Sequence, residues 1–552
     1  MMTPPTRPKH LDPTALDDLT SADVRLVGPA DAGRLVVTGA SLDSRRVEPG
    51  DLYAALPGAH VHGARFAEGA VASGAVAVLT DEAGLATIRE GAAAGVPVLL
   101  ADDPRSVLGG ISARLYGRPA ERLRTVGITG TNGKTTTAYL LDGALRALGR
   151  ATGLVGTIEI RMGTERVESA RTTPESCDLQ ALLAVMAERG VTDLTMEVSS
   201  HALVLHRVDG IVYDVACFTN LSQDHLDFHG TMANYFAAKA SLFTPERSRR
   251  GVVCVDDDWG RRLADEAGVP VVTLANTPDR GADWVLDSPR GDPAFVLAPG
   301  GGPAAGETPT GGSATRALHL TSPLPGDFNR TNTAVAALTL LALGVSPEDV
   351  ERGLSAPTRV PGRAETVDLG PGAPRAIVDF AHTPDAVASV LTALRADGAG
   401  PLVAVLGAGG DRDPGKRPAM GAAAARSADH VVVTDDNPRH EDPAGIRASV
   451  LSGAAELIAG EAPGTRARDA VEVDGRENAL LRALQLAGPD GTVAVLGKGH
   501  ETGQQIGDVV HPYDDRTALH RAWQRRQAPD GRVEAEPALD PTTDATTAGE
   551  HA

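Results

Sequence analysis

The sequence predicts an α/β protein of three domains built on parallel sheets. Three observations carry that expectation. At 552 residues the chain is longer than one hydrophobic core serves. In LRTVGITGTNGKTTTAYLLDGALRAL a short β run, a glycine turn and an apolar helix follow one another. From Pro361 onward a plan of β run, polar loop and helix repeats, as in a doubly wound sheet.

Residues 1–122 show short Val, Leu and Ala runs broken by Gly and Pro, as in RLVVTGASLDSRRVEPGDLYAALPG, and predict a small α/β domain. The second domain, 123–358, opens on the glycine turn, with Leu140, Leu141, Ala144, Leu145 and Leu148 at helical spacing. Its runs VTDLTMEV and IVYDVACFTN are β-branched and apolar, as strands buried on both faces of a parallel sheet must be. Most of 287–318, rich in Gly, Pro and Ala, is expected to be a surface loop. The third domain, 359–526, offers strands at 376–380, 402–407, 430–435 and 492–497. Ligands of such sheets sit beyond the carboxyl ends of the strands, so the following loops are where chemistry belongs. The polar, acidic, Pro-containing stretch 527–552 is expected to be disordered.

Hydrophobic residues at 42% and charged ones at 22% exclude wholesale disorder. The net charge of −20 gives no field favouring nucleic acid or an anionic membrane, so an anionic substrate has to be held by local cations. Cys177, Cys217 and Cys254 are odd in number and far apart, which fits neither a disulfide framework nor a zinc cluster and suggests a reducing cytoplasm. The opening residues have no apolar signal-like core, and no run of about 18 apolar residues follows, so a soluble, unexported protein is expected. Only five of the 52 basic residues are lysines: Lys9, Lys134, Lys239, Lys416 and Lys498. A chain that otherwise uses arginine keeps lysine where a compact ammonium or a neutral amine is needed.

Gly130-Thr131-Asn132-Gly133-Lys134-Thr135-Thr136 lies between strand and helix, where glycines allow close backbone approach and the helix N-terminus faces a phosphate. Lys134 would reach the terminal phosphates of ATP and Thr135 a Mg²⁺ ion. Ile128 stands where the strict phosphate-loop pattern has its first glycine. Glu197 closes one strand and His225 lies in the loop after another, both suited to Mg²⁺. Lys239 sits among small apolar residues on an amphipathic helix, where an unpaired cation is costly. In the third domain Asp379, His382, Asp411, Arg412, Lys416, Arg417, Asn437, Arg439, Lys498, His500 and Glu501 fall at one sheet edge. That mixture suits a ligand carrying both carboxylates and an ammonium.

In this order, TGTNGKTTT, MEVSSHAL, TNLSQDHLDFHG, YFAAKASLF, GDFNRTN, VPGRAE, DFAHTPDA, GGDRDPGKRP, DNPRHEDP and GKGHE closely resemble the Mur ligases of peptidoglycan synthesis, over roughly Ser41 to Arg516. The resemblance is strongest to the branch that adds the third amino acid. It implies a UDP-sugar domain, a central phosphate-loop ATPase and a Rossmann-like C-terminal domain that delivers the amino acid and closes onto the ATPase. It implies ATP and Mg²⁺ as cofactors. The implied substrates are UDP-N-acetylmuramoyl-L-alanyl-D-glutamate and meso-diaminopimelate, joined through an acyl phosphate by a monomer.

By the same resemblance, Lys134, Glu197, His225 and Lys239 serve catalysis, and Lys239 matches the family's carbamoylated lysine, N6-carboxylysine. Thr135, Glu197, His225 and the Lys239 carbamate hold metal. Asn329 meets adenine, and Asp379 and His382 meet the nucleotide from the C-terminal domain. Leu42, Ser44 and His60 hold the uridine nucleotide, and Thr172, Thr173, Ser199 and Arg207 the muramoyl-dipeptide end. Arg412, Asp436, Asn437, Pro438, Arg439, Gly497 and Glu501 match the diaminopimelate site. Leu205 and Arg171 depart from the family, where Gln and Asn are common. The alternatives are the lysine-adding sister ligase, folylpolyglutamate synthase, a catalytically dead precursor-binding regulator and a nucleic-acid motor. LDSRRVEPGDLYAALPG argues against the folate enzyme, the intact Lys134, Glu197, His225 and Lys239 against the regulator, and the acidic charge against the motor.

Overall fold

The longest apolar runs become the strands of three sheets with parallel centres. The structure is a computed structural model that describes residues 7–58, 60–169, 171–287, 289, 291–303, 316–396, 398, 400–460 and 463–527. The chain divides between Pro361 and Gly362 into two units.

The first unit contains two of these sheets. In the smaller, Val98–Leu100, Ala77–Thr80, Asp51–Ala54 and Gly39–Ser41 run parallel, and Arg25–Val27 adds an antiparallel edge. The helix Pro104–Leu115 covers it, and Leu108, Ile111 and Leu115 share a core with Cys177, Ala181 and Ala184 of the helix Ser176–Glu188.

The larger sheet has eleven strands. Its parallel centre runs, in spatial order, Thr152–Val155, Asp193–Glu197, Arg124–Thr129, Val215–Phe218, Gly251–Cys254, Val271–Ala275 and Trp284–Leu286. The register sets Glu197 opposite Ile128 and Phe218 opposite Thr129. Three strands therefore end side by side, and the phosphate loop, Glu197 and the His225 loop leave from the same edge. The helix Lys134–Ala147 packs Leu140, Leu141, Ala144 and Leu145 into one core with Ala334, Leu338 and Leu341 of the helix Asp327–Ala342.

The expectation of a loop over 287–318 needs correction. Ala294–Pro299 is a strand, paired antiparallel with Trp284–Leu286 and with Leu318–Thr321. Phe295 and Leu297 alternate into the core at 3% and 0% exposure, a period of two hidden between Gly- and Pro-rich flanks. Residues 304–315 of that segment, and the tail from 528, lie outside the described residues.

The second unit carries a six-stranded sheet in the order Glu365–Val367, Arg375–Asp379, Thr492–Leu496, Leu402–Leu406, His430–Val433 and Asp469–Glu472, parallel except at its first strand. All five residues of Leu402–Leu406 are buried, as a strand covered on both faces requires. The four expected strands appear within a residue or two of their expected bounds. Among the described residues no helix is long and apolar enough to cross a membrane, and the three cysteines are free and buried.

Candidate active site

Two clusters of polar side chains form at strand ends, one in each unit. In the first, Gly130 and Gly133 adopt φ of +141° and +88°. A side chain at Gly130 would overlap the Thr219 hydroxyl, and one at Gly133 the Asn332 amide, so only glycine lets the loop lie this close. Gly133 precedes the helix Lys134–Ala147, whose first-turn amides face the loop. Lys134 Nζ donates to the carbonyls of Gly130 and Thr131 at 2.9 Å each. Thr131 Oγ1 lies 3.2 Å from Tyr235 Oη, Asn132 N donates to Asn220 Oδ1 at 2.9 Å, and Thr136 is buried in the helix's first turn.

Thr135 Oγ1 donates to Glu197 Oε2 at 2.9 Å, and Thr157 donates to the same carboxylate through N at 2.8 Å and Oγ1 at 3.0 Å. The hydroxyl and carboxylate form a pair of hard oxygen donors at the mouth of the phosphate loop, which fits magnesium. Among the described residues no three His, Cys, Asp or Glu side chains are grouped to hold a metal unaided. Such an ion would need further oxygens from phosphate or from a modified side chain.

Lys239 lies against the same loop. It is 1% exposed, and its Nζ donates to Gly130 O at 2.8 Å and lies 4.6 Å from the Tyr235 ring centroid. Burial, reinforced by Lys134 and opposed by Asp224, holds its amine well below the usual lysine range. His225, in the left-handed region at φ +53°, meets His201 edge-on at 4.9 Å. Crowding among protein atoms, with His201, Lys134 and Lys239 adding to it against Asp224, lowers its pKa. Asn329 is buried, donates to Pro325 O at 2.7 Å and accepts from Asn332, which lines the phosphate loop.

Thr172 and Thr173 reach the same edge. Thr172 Oγ1 lies 3.1 Å from Thr157 Oγ1, and Thr173 Oγ1 donates to Glu197 O at 2.9 Å and accepts from Ser199 N. Arg207 pairs with Glu175 at 2.9 Å and donates to Thr173 O. Leu42 follows Gly39–Ser41 and Ser44 opens the short helix Ser44–Arg46; their neighbours Ser41, Arg45 and Arg46 line, with Arg7 and Tyr116, a cavity of about 310 Å³. His60 is exposed on the loop after Asp51–Ala54.

The second cluster sits at the carboxyl ends of Leu402–Leu406, His430–Val433 and Thr492–Leu496. Arg439, at φ +51°, donates through Nη1 to Gly410 O at 2.6 Å, and Pro438 O abuts Gly410. Arg412 and Arg439 flank Gly409, and burial together with the Arg412 charge pulls the Arg439 guanidinium below its usual range. Asn437 Nδ2 donates to Glu501 Oε2 at 2.9 Å. Gly497, at φ +107°, leaves room for the Asp436 carboxylate, which a side chain there would overlap. On the neighbouring strand Asp379 accepts from Ala364 N at 2.6 Å and Ala381 N at 2.8 Å, and burial raises its carboxyl above the usual range. His382 Nδ1 lies 2.7 Å from Phe380 O, and Phe380 packs against both His382 and His500 under the Arg363 guanidinium.

One position escapes a reading of sequence alone, and the place of a second is understated by it. Thr157, which grips Glu197, sits in the unremarkable run GTIE after Thr152–Val155. Lys498 is named there only as one loop charge among many, yet it is fully buried at the centre of the second cluster. The scarcity of lysine was the signal available for it.

Three family models match the chain: the Mur ligase family catalytic domain over 36–116, the Mur ligase middle domain over 128–340, and the Mur ligase glutamate ligase domain over 362–499. The chain is 51% identical over 524 residues to UDP-N-acetylmuramoyl-L-alanyl-D-glutamate–2,6-diaminopimelate ligase of Streptomyces avermitilis, covering 95% of this chain and 99% of the relative. It is 51% identical over 528 residues to the Streptomyces coelicolor protein of the same name, with the same coverage. A solved structure bearing that ligase name superposes with a TM-score of 0.62 at 29% identity, covering 94% of this chain and 100% of the other.

Proposed function

The chain belongs to the Mur ligase family, and from that premise we propose that it joins meso-2,6-diaminopimelate to UDP-N-acetylmuramoyl-L-alanyl-D-glutamate in peptidoglycan precursor synthesis. It is an ATP-dependent amide ligase. The observation that carries the amino acid is a charge pattern. The Arg439 guanidinium and the Arg412 side chain flank Gly409, while the Asp436 and Glu501 carboxylates lie around Asn437, a match for a zwitterionic end group. The three thiols, free and buried, suit a cytoplasmic enzyme.

A carboxylate does not react with an amine at neutral pH, so the D-glutamyl carboxylate has to be activated. It attacks the ATP γ-phosphorus, the bond to the β-phosphate oxygen breaks, and ADP leaves behind an acyl phosphate. Lys134, already directed at the loop carbonyls, screens the repulsion between the two anions. Thr135 and Glu197, with His225 and a carbamoylated Lys239, would hold magnesium, which when bound neutralises phosphate charge. Lys239 suits carbamoylation because its burial favours the neutral amine, whose nitrogen can attack CO₂ and then lose a proton. Thr172, Thr173, Ser199 and Arg207 orient the dipeptide end, and the cavity beside Leu42 and Ser44 offers arginines to the nucleotide. Asn329 would meet the adenine, and Asp379 and His382 would serve nucleotide binding. The diaminopimelate amine then attacks the acyl carbon, phosphate leaves, and the amine proton passes to solvent or a nearby base.

The test is ADP release by the purified chain with ATP, Mg²⁺, UDP-muramoyl-dipeptide and a panel of amino acids. Turnover that requires diaminopimelate supports the reading. Comparable kcat/KM with L-lysine would favour the sister ligase instead.

A further inference from the structure

We propose that Lys498 is the positioning residue that fixes the orientation of Asn437 and Glu501 and so sets the preference for diaminopimelate over lysine. This rests on reading that sheet edge as the amino-acid pocket. Lys498 follows Thr492–Leu496 and has no exposed surface. Its Nζ donates to Asn437 Oδ1 at 3.0 Å and Glu501 Oε2 at 2.9 Å, and lies 3.8 Å from Asp436 Oδ1. Withdrawing an ammonium from water is costly unless hydrogen-bond acceptors and negative charge replace the water, and here the Asn437 amide oxygen and the Glu501 carboxylate accept its protons with Asp436 close by.

The contacts impose an order on the pocket. Asn437 Oδ1 accepts from both Lys498 Nζ and Gln505 N, at 3.0 Å each, so its two lone pairs are used and its amide cannot turn over. Nδ2 must then face Glu501, to which it donates. Glu501 Oε2 receives both Lys498 and Asn437, which assigns Oε1 to the incoming ammonium. The backbone is drawn tight on either side of the lysine. A side chain at Gly497 would overlap Asp436, and one at Gly499 would come within 2.7 Å of Phe380 Cβ. A broad guanidinium does not fit that setting, which accounts for a lysine in a chain that prefers arginine.

Charge balance supplies the specificity. Diaminopimelate is neutral overall near pH 7, whereas lysine carries one net positive charge. Asp436 and Glu501 without Lys498 would present two carboxylates and favour the more cationic amino acid. With Lys498 between them, one carboxylate charge remains for the ammonium, and Arg439 takes the carboxylate that lysine lacks.

The experiment uses the full chain with ATP, Mg²⁺, UDP-muramoyl-dipeptide and either amino acid. Lys498→Met should raise KM for diaminopimelate about 30-fold, with KM for ATP and for the UDP substrate changed less than about twofold. Its kcat/KM preference over L-lysine should narrow. Lys498→Gln, which keeps a neutral N–H donor group and is less disruptive, should fall between. The double variant Lys498→Met/Glu501→Gln should be no worse than its poorer single variant, because both act through one carboxylate. Equal rises in all three KM values, an unchanged KM for diaminopimelate, or additive effects in the double variant would overturn the proposal while leaving the ligase reading intact. A wild-type chain that turns over neither amino acid would remove the pocket assignment and this proposal together.

Discussion

Thr135 Oγ1 and Glu197 Oε2 lie 2.9 Å apart, which ties the first turn of the phosphate-loop helix to the end of the neighbouring strand. Glu197 is 1% exposed, so its charge depends on donors the protein supplies, and Thr157 gives two of them. Thr157→Val keeps the backbone donor and removes the hydroxyl. It should lower kcat about tenfold and raise the Mg²⁺ concentration needed for half-maximal turnover, measured by magnesium titration.

In the proposed mechanism Lys134 acts on the phosphates, while the UDP-sugar is assigned to the smaller sheet. Lys134→Ala should abolish ADP formation and leave calorimetric binding of UDP-muramoyl-dipeptide nearly unchanged. Loss of both would assign the lysine to the structure of the loop.

Lys239→Ala removes the side chain we assign as carbamoylated. Turnover should fall by a hundredfold or more on the order of magnitude of losing a metal-organising group. A short-chain carboxylic acid should restore part of it by occupying the vacated space. Wild-type turnover in the variant would refute the assignment.

Arg439→Ala leaves a substrate carboxylate without its partner. KM for diaminopimelate should rise by roughly 30-fold or more, while kcat/KM for L-lysine stays within a few-fold, so that the preference narrows. Steady-state kinetics with each amino acid would measure both.

His500 is held down at about 3 by burial, with Arg363, Arg516 and Lys498 adding to it, and its Nδ1 is buried with no hydrogen-bond partner among the described residues. Its folded value lies below the ordinary 6.5, so between those limits the unfolded chain binds a proton that the folded chain refuses. Stability from this group is present above pH 6.5 and is lost as pH falls toward 3, by no more than about 1.4 kcal/mol per pH unit. Denaturant unfolding of wild type and His500→Gln from pH 7 to pH 4 should show a shallower acid slope in the variant.

Strands buried on both faces were legible because their sequences have one reading. LVAVL is apolar at every position and TVAVL at all but its first, both are too short for helices, and they appear as Leu402–Leu406 and Thr492–Leu496. Ala294–Pro299 was not legible, since its alternation spans only six residues between stretches that look like loop. The phosphate loop could be read because glycine, lysine and threonine at that spacing carry local meaning. Thr157 and Lys498 matter through partners distant in sequence, 40 and 61 residues away at Glu197 and Asn437; no local pattern announces the first contact, and the sequence places the Lys498 charge at the sheet edge without its partners. The arrangement of the Thr172, Thr173 and Arg207 group likewise depends on Glu175 and Glu197, brought together only by folding.

The scarcity of lysine has a spectroscopic consequence. Five side-chain amines in 552 residues make the chain a nearly blank background for amine-selective isotope labelling. Two of them, Lys239 and Lys498, are buried, and Lys498 is committed to Glu501 and Asn437. A carbonyl resonance acquired from labelled bicarbonate would therefore have few possible sources. Its loss in Lys239→Ala would assign it in a single spectrum, without reference to turnover.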